Sequence, residues 1–201
     1  MREKKKKKEN NEITVRANCS LEQLEKEIKD FGFVENNRYY FSDIFLIPNE
    51  IDILKENTRD ILKKAVLLRE GKGITTNKNS KKIVFKKKVI NENGEIISQS
   101  AEKCRIEDIQ DAKNLFLAIG YKELMKTMEL HIAYIKDDTL LVVKDTKNLG
   151  IILEIETSKK YNTIDKLTQL LKSMNLSVDL TNLFVKKAEE ELDKIKENMK
   201  N

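Results

Sequence analysis

The feature that most constrains this chain is an alternation at period two that recurs along its length. In 151–157, Ile151, Leu153 and Ile155 fall on one side, while Glu154 and Glu156 fall on the other. In 12–18, Ile13, Val15 and Ala17 oppose Glu12, Thr14 and Arg16. In 81–90, Phe85 and Val89 oppose Lys86 and Lys88. Successive side chains of a strand point to opposite faces, so each of these segments reads as a strand with one apolar and one charged face. Further strand-like segments at 39–47, 64–70, 95–103, 130–135 and 140–144 bring the total to roughly eight. Many antiparallel strands in one sheet favour closure, because a closed barrel leaves no edge exposed. The expected fold is therefore α+β: a closed antiparallel β-barrel with helices packed outside.

Helices are expected between the strands. Ser20-Leu21-Glu22-Gln23 has the form of a capping box, Leu21, Leu24, Ile28 and Phe31 make an apolar stripe, and Gly32 suits the C-terminal end. A short helix is expected at 50–57. Another is expected at 107–119, closed by Gly120, and helical patterns follow from Thr163 and over about 180–198. The unit of strand, cysteine, helix and Gly32-Phe33 is echoed by Cys104, a helix and Gly120-Tyr121, which suggests two related halves.

Composition narrows the function classes. The 201 residues carry 39 Lys and Arg against 34 Asp and Glu, a net charge of +5. Residues 1–8 hold the whole excess, since Arg2 and Lys4–Lys8 face only Glu3 there; the remainder is formally neutral. Bulk charge therefore does not mark a nucleic-acid binder, and any such contact would run through the basic arm. The domain reading is a basic arm at 1–9, a barrel domain at 10–175 and a charged helical extension at 176–201. No apolar run approaches the length of about 18 residues that spans a membrane, and the N-terminus lacks an apolar signal region. Cys19 and Cys104 are too few for a disulfide framework and read as buried free thiols in a reducing cytoplasm. Nothing in the sequence fixes an oligomeric state.

Several catalytic patterns are absent. His131 is the single histidine, no HExxH occurs, and Gly71-Lys72-Gly73 lacks the spacing of a phosphate-binding loop. His131 reads as a packed or surface side chain on a strand. The charged strand faces remain. Their lysines and arginines suit phosphate oxygens, and their glutamates suit a hard divalent cation, if those faces point inward. The bland reading is a set of solvent faces on a half-exposed sheet.

The order of the segments resembles that of the CYTH proteins, the group of class IV adenylate cyclases and thiamine triphosphatases. Glu12-Ile13-Thr14-Val15-Arg16 is similar to their opening ExExK strand, and Phe41-Ser42-Asp43-Ile44-Phe45 to their Q-x-D-x-Y/F strand. Leu67-Leu68-Arg69-Glu70 resembles R-x-R-E, Val84-Phe85-Lys86 resembles T-Y-K, and Leu149–Glu156 matches the closing LGxFxEIE strand best. The likeness covers about residues 10–175. It implies that Arg16, Arg69, Lys86 and Lys88 cradle a triphosphate-containing small molecule, and that Glu12, Glu154 and Glu156 bind Mg2+ or Mn2+. The implied function is a metal-dependent enzyme acting on tripolyphosphate, thiamine triphosphate or a nucleoside triphosphate, by hydrolysis rather than cyclisation to cAMP. The chain departs from the pattern at Thr14, at Leu67, at Glu129 and His131, and at Lys144, where carboxylates or cations are expected. Lys103, Lys126 and Lys144 are the candidates to compensate. Those losses motivate the alternative of a barrel that binds a phosphorylated ligand or a partner without turnover.

Overall fold

The computed structural model describes residues 12–90 and 96–200. The basic arm at 1–9 and the turn at 91–94 lie outside them. Nine strands form one antiparallel sheet: β1 (Glu12–Ala17), β2 (Val34–Pro48), β3 (Val66–Gly73), β4 (Asn79–Ile90), β5 (Ile96–Arg105), β6 (Tyr121–Lys136), β7 (Thr139–Thr146), β8 (Gly150–Glu156) and β9 (Val178–Asp179). Their order across the sheet is β5-β4-β3-β2-β6-β7-β8-β1-β9. Five helices accompany it: α1 (Leu21–Asp30), α2 (Thr58–Lys64), α3 (Ile109–Ala118), α4 (Ile164–Ser173) and α5 (Lys187–Lys200).

Local chemistry accounts for most helix ends. Ser20 accepts a hydrogen bond from the Gln23 N–H at 3.3 Å, and Thr163 does the same for Lys166 at 3.3 Å. Gly32 and Gly120 close α1 and α3 with φ of +92° and +93°, a left-handed turn that residues with a Cβ rarely adopt. The helix expected at 50–57 is displaced. Residues 51–57 form turns, and Asn57 caps α2 by accepting from the Arg59 N–H at 2.9 Å. The strand expected at 130–135 is the C-terminal part of the sixteen-residue β6. The final helix starts at Lys187 rather than near 180.

The sheet has two unlike faces. On the outer face, Ile13, Val15, Ile132, Tyr134, Leu141, Val143, Leu153 and Ile155 pack with Leu24 and Ile28 of α1 and Leu167, Leu170 and Leu171 of α4. Leu46 and Leu68 pack with Ala112 of α3 on the same side. The inner face carries a second core at one end only: Phe45, Leu67 and Val84 meet Ile61 of α2 and Leu192 of α5. The rest of that face is polar, and it carries the site.

Closure is not made by hydrogen bonds. Among the described residues β5 and β9 are the two sheet ends and do not pair. The outer edge of β1 is occupied instead by 178–185. Arg16 and Ala17 pair with Asp179 and Val178, the Thr14 N–H donates to the Leu183 carbonyl at 2.9 Å, and the Val185 N–H donates to the Thr14 carbonyl at 3.0 Å. That returning segment satisfies the edge that a barrel would have given to another strand. Both cysteines are free, but Cys104 is exposed and Cys19 only half-buried, so the expected burial of both thiols does not hold.

Candidate functional site

Register fixes which side chains share the inner face. On β1 and β8, Glu12 lies opposite Glu156 and Thr14 opposite Glu154. Val142 follows opposite Glu154 on β7, and Lys144 lies opposite Ile152, two residues away. His131 and Glu129 continue the face on β6, then Tyr39, Phe41 and Asp43 on β2, Arg69 on β3 and Lys82 on β4. Lys86 stands four residues beyond Lys82 on that face of β4. A period-two pattern in each strand thus becomes one continuous charged surface.

The three carboxylates proposed from the sequence share the inner face and act on one another. Burial pushes the Glu12 carboxyl up, and the charges of Glu154 and Glu156 push it further, while Lys144 and Lys86 oppose. That Lys86 acts on Glu12 brings β4 electrostatically opposite β1, although five strands lie between them in the sheet. Burial would also raise Glu154, but its ion pair with Lys144 outweighs this and holds it below the usual carboxylate range. Lys144 therefore stands in the interior where the resemblance expects an acid. No bulge interrupts β7, so Asp145 stays on the opposite face.

The cations are distributed less simply. Arg69 reaches inward, donating from Nε to Asp43 Oδ1 at 2.7 Å and from Nη2 to Asp43 Oδ2 at 2.5 Å. Its guanidinium lies 4.7 Å from the centre of the Phe41 ring. Asp43 is 3% exposed, so this is a planar two-point pair in a protected position. Arg16 turns to the Leu149 carbonyl and to Glu190 of α5, at 2.5 Å from the latter. Lys86 shares the inner face with Val84, and the side chain of Lys88 lies outside the described residues. Of the three candidates to compensate, Lys144 is inside, Lys103 is exposed on β5, and Lys126 points to the outer face beside Glu123.

Glu129 and His131 make the least expected part of the site. His131 is buried, and its Nε2–H donates to Glu129 Oε2 at 2.7 Å. Glu129 also forms an ion pair with Lys187 of α5. Burial alone would raise Glu129, but His131 and Lys187 hold it far below the usual carboxylate range. Burial lowers His131, Glu129 pulls it back, and Lys144 and Lys187 lower it further, so its imidazole is neutral near pH 7. The rings of Tyr39 and Phe41 enclose it at 5.8 and 4.7 Å between centres. Sequence reasoning missed Asp43, Lys187 and Glu191 as parts of the site. The available signal was the four-residue spacing of Lys187 and Glu191, which puts both on one helix face.

Chemically, the interior offers three adjoining carboxylates and a set of lysines and arginines within one shell. Hard oxygen donors of this type suit Mg2+ or Mn2+. Among the described residues no three His, Cys, Asp or Glu side chains converge closely enough to hold an ion as they stand. Glu154 is engaged by Lys144, so a finished ligand set needs that pair to part. The donor chemistry fits, with Glu12, Glu154 and Glu156 as the holders.

No protein-family model matches the chain. A curated relative, named a putative adenylate cyclase of Methanocaldococcus jannaschii, is 29% identical over 90 residues, which span 41% of this chain and 51% of that protein. The match thus covers about half the relative's length. A solved protein of Pyrococcus horikoshii OT3 aligns with a TM-score of 0.68 at 18% identity, covering 92% of this chain and 99% of that one. A Hippeastrum protein, described as a putative adenylyl cyclase that reveals a dominant triphosphatase activity, aligns with a TM-score of 0.54 at 13% identity, covering 90% of this chain and 93% of that one. A chain of the Schizosaccharomyces pombe Mediator head module aligns with a TM-score of 0.52 at 10% identity, covering 96% and 94%. The resemblance read from the strand motifs is thus borne out at the level of architecture: the chain has a CYTH-type fold, shared with proteins some of which are named putative adenylate cyclases.

Proposed function

We propose that this protein is a metal-dependent enzyme that hydrolyses a triphosphate compound: tripolyphosphate, thiamine triphosphate or a nucleoside triphosphate. The observation that carries the reading is the meeting of Glu12 and Glu156, with Glu154 beside them, on the same inner face as Lys144, Lys86 and Arg69. A divalent cation, when bound by Glu12, Glu154 and Glu156, would neutralise charge developing on the transferred phosphoryl group. Arg69, Lys86 and Lys88 would hold phosphate oxygens, and Arg16 would join them by leaving Glu190. Lys144 would exchange Glu154 for a phosphate oxygen as the carboxylate turns to the cation. Water then attacks the terminal phosphorus, and the bond to the bridging oxygen breaks. Hydrolysis asks for positioned phosphates and water alone, whereas cyclisation would also require groups that orient a ribose hydroxyl. The dominant triphosphatase activity named for the Hippeastrum protein supports the same choice. No helix among the described residues is long and apolar enough to cross a membrane, and two free thiols agree with a cytoplasmic setting.

A second reading is a barrel-like scaffold that binds a phosphorylated ligand or a protein partner without turnover. It is favoured by the interior ion pairs, since Arg69, Lys144 and Lys187 each already end on a carboxylate.

The deciding experiment is phosphate release from tripolyphosphate, ATP and thiamine triphosphate with Mg2+ and then Mn2+, repeated with the double variant Glu154→Gln, Glu156→Gln. Metal-dependent release that falls at least a hundredfold in the variant is the expected result. Binding without release from any substrate would favour the second reading.

A further inference from the structure

We propose that Lys187 of α5 is a substrate-binding residue: a cation delivered from the C-terminal helix to replace one that the strands lack, held on Glu129 until a phosphate chain takes it over. This inference rests on the phosphate-binding reading above.

The packing explains how the lysine comes to be inside. Leu67, Glu129 and His131 occupy inner strand positions where the resemblance expects basic residues. Leu67 is 4% exposed and belongs to the core that buries Leu192 of α5 completely. An apolar residue at 67 thus gives α5 a seat. Lys187 lies five residues before Leu192, about 7 Å along the helix axis, which carries its side chain toward β6. Arg59 and Glu189 fix the same helix to α2 at 3.1 Å, and Lys194 donates to the Asn148 carbonyl at 2.8 Å. The position lost as a cation on β3 becomes the anchor of the helix that brings one in.

The charge of Lys187 acts on Glu129 and His131 of β6, on Glu154 of β8 and on Glu191 of its own helix. It therefore lies among the groups that a phosphate chain would meet.

Lys187 is also the interior cation whose partner has a ready replacement. Glu129 is bonded at once to Lys187 and, at 2.7 Å, to His131. When Lys187 swings to a phosphate oxygen, a proton from solvent on His131 Nδ1 restores a positive neighbour to Glu129. Among the described residues, Asp43 and Glu154 have no second hydrogen-bonded cation or histidine beside Arg69 and Lys144. The groups facing His131 are Glu129 on β6, Lys144 from β7, Glu154 from β8, Lys187 from α5 and Tyr39 from β2. Burial does most to keep the ring neutral, and departure of Lys187 removes one of the two cations that add to it, so phosphate binding and proton uptake are linked.

The test is calorimetric titration of the full chain with tripolyphosphate and Mg2+ at pH 7.5, in two buffers of different ionisation enthalpy. The wild type is expected to take up a fraction of a proton on binding. Lys187→Met should weaken binding roughly tenfold or more and abolish the uptake, and Lys187→Arg should retain most of the affinity. Because Lys187→Met strands Glu129, the double variant Lys187→Met, Glu129→Gln is measured beside it, with both interior charges removed. Wild-type affinity and proton uptake in that double variant would overturn the role of Lys187 while leaving the phosphate reading intact. A wild type that binds neither tripolyphosphate, ATP nor thiamine triphosphate would overturn both.

Discussion

Glu191 is 6% exposed, and its Oε2 meets no hydrogen-bond donor among the described residues. Burial pushes this carboxyl up to about 7; Lys187 opposes, Glu129 and Asp43 add repulsion, and Lys194 opposes weakly. An unfolded glutamate titrates near about 4.3. Between those values the folded chain holds a proton that the unfolded chain has lost, so this group makes stability fall as pH rises. Glu191→Gln should therefore stabilise the protein by up to about 3 kcal/mol at pH 8 and by little at pH 5. Urea denaturation at the two pH values measures the difference, and an equal gain at both would refute the titration. Glu129 has the opposite sign. Its depressed titration gives stability that is present above about pH 4.3 and is lost as the pH falls below it. Glu129→Gln should cost about 3 kcal/mol near pH 7 by leaving Lys187 unpaired, and progressively less in acid. At this scale the alternating glutamates of β1 and β8 were legible in the sequence, because period two fixes which residues share a face. Glu129, His131 and Glu191 were not legible as a group, since what joins them is the approach of a helix more than fifty residues away.

Helix α5 shows the same division between local and distant information. Its existence follows from its own pattern, and so do α1 and α4, whose caps at Ser20 and Thr163 are local hydrogen bonds. Its place does not. The apolar stripe of Ala188, Leu192 and Ile195 could face any apolar surface, and only the folded sheet offers Phe45, Leu67 and Val84 together. The displaced start of α2 has a local cause, the Asn57 side chain, which caps the helix by accepting from the Arg59 N–H. Leu192→Ala removes a side chain with no exposed surface and should cost about 3 kcal/mol, read as a lower urea midpoint at constant slope. Since the same seat holds Lys187 in place, the variant should also weaken tripolyphosphate binding.

At the scale of the molecule, the α+β antiparallel sheet is as expected but is not closed by hydrogen bonds among the described residues, because edge strands can be satisfied without pairing to each other. The β1 edge is covered by 178–185, and α5 lies across the inner face with ion pairs to β1 through Arg16 and Glu190, to α2 through Arg59 and Glu189, and to β6 through Glu129. Two cores result. One joins β1, β6, β7 and β8 to α1 and α4, with no residue of α5 in it; the other joins β2, β3, β4 and β6 to α2 and α5. Such a division predicts two units of local stability, because opening α5 exposes the second core and leaves the first packed. Amide hydrogen exchange on wild type and Leu192→Ala would resolve them. Amides of 44–47, 66–68 and 83–85 should lose protection in the variant by the full cost of the substitution, about a hundredfold in rate for about 3 kcal/mol. Those of 13–15, 141–143 and 153–155 should change far less. Equal loss across both sets would mean that the sheet opens as one unit, and α5 could then not leave the interior without unfolding the chain.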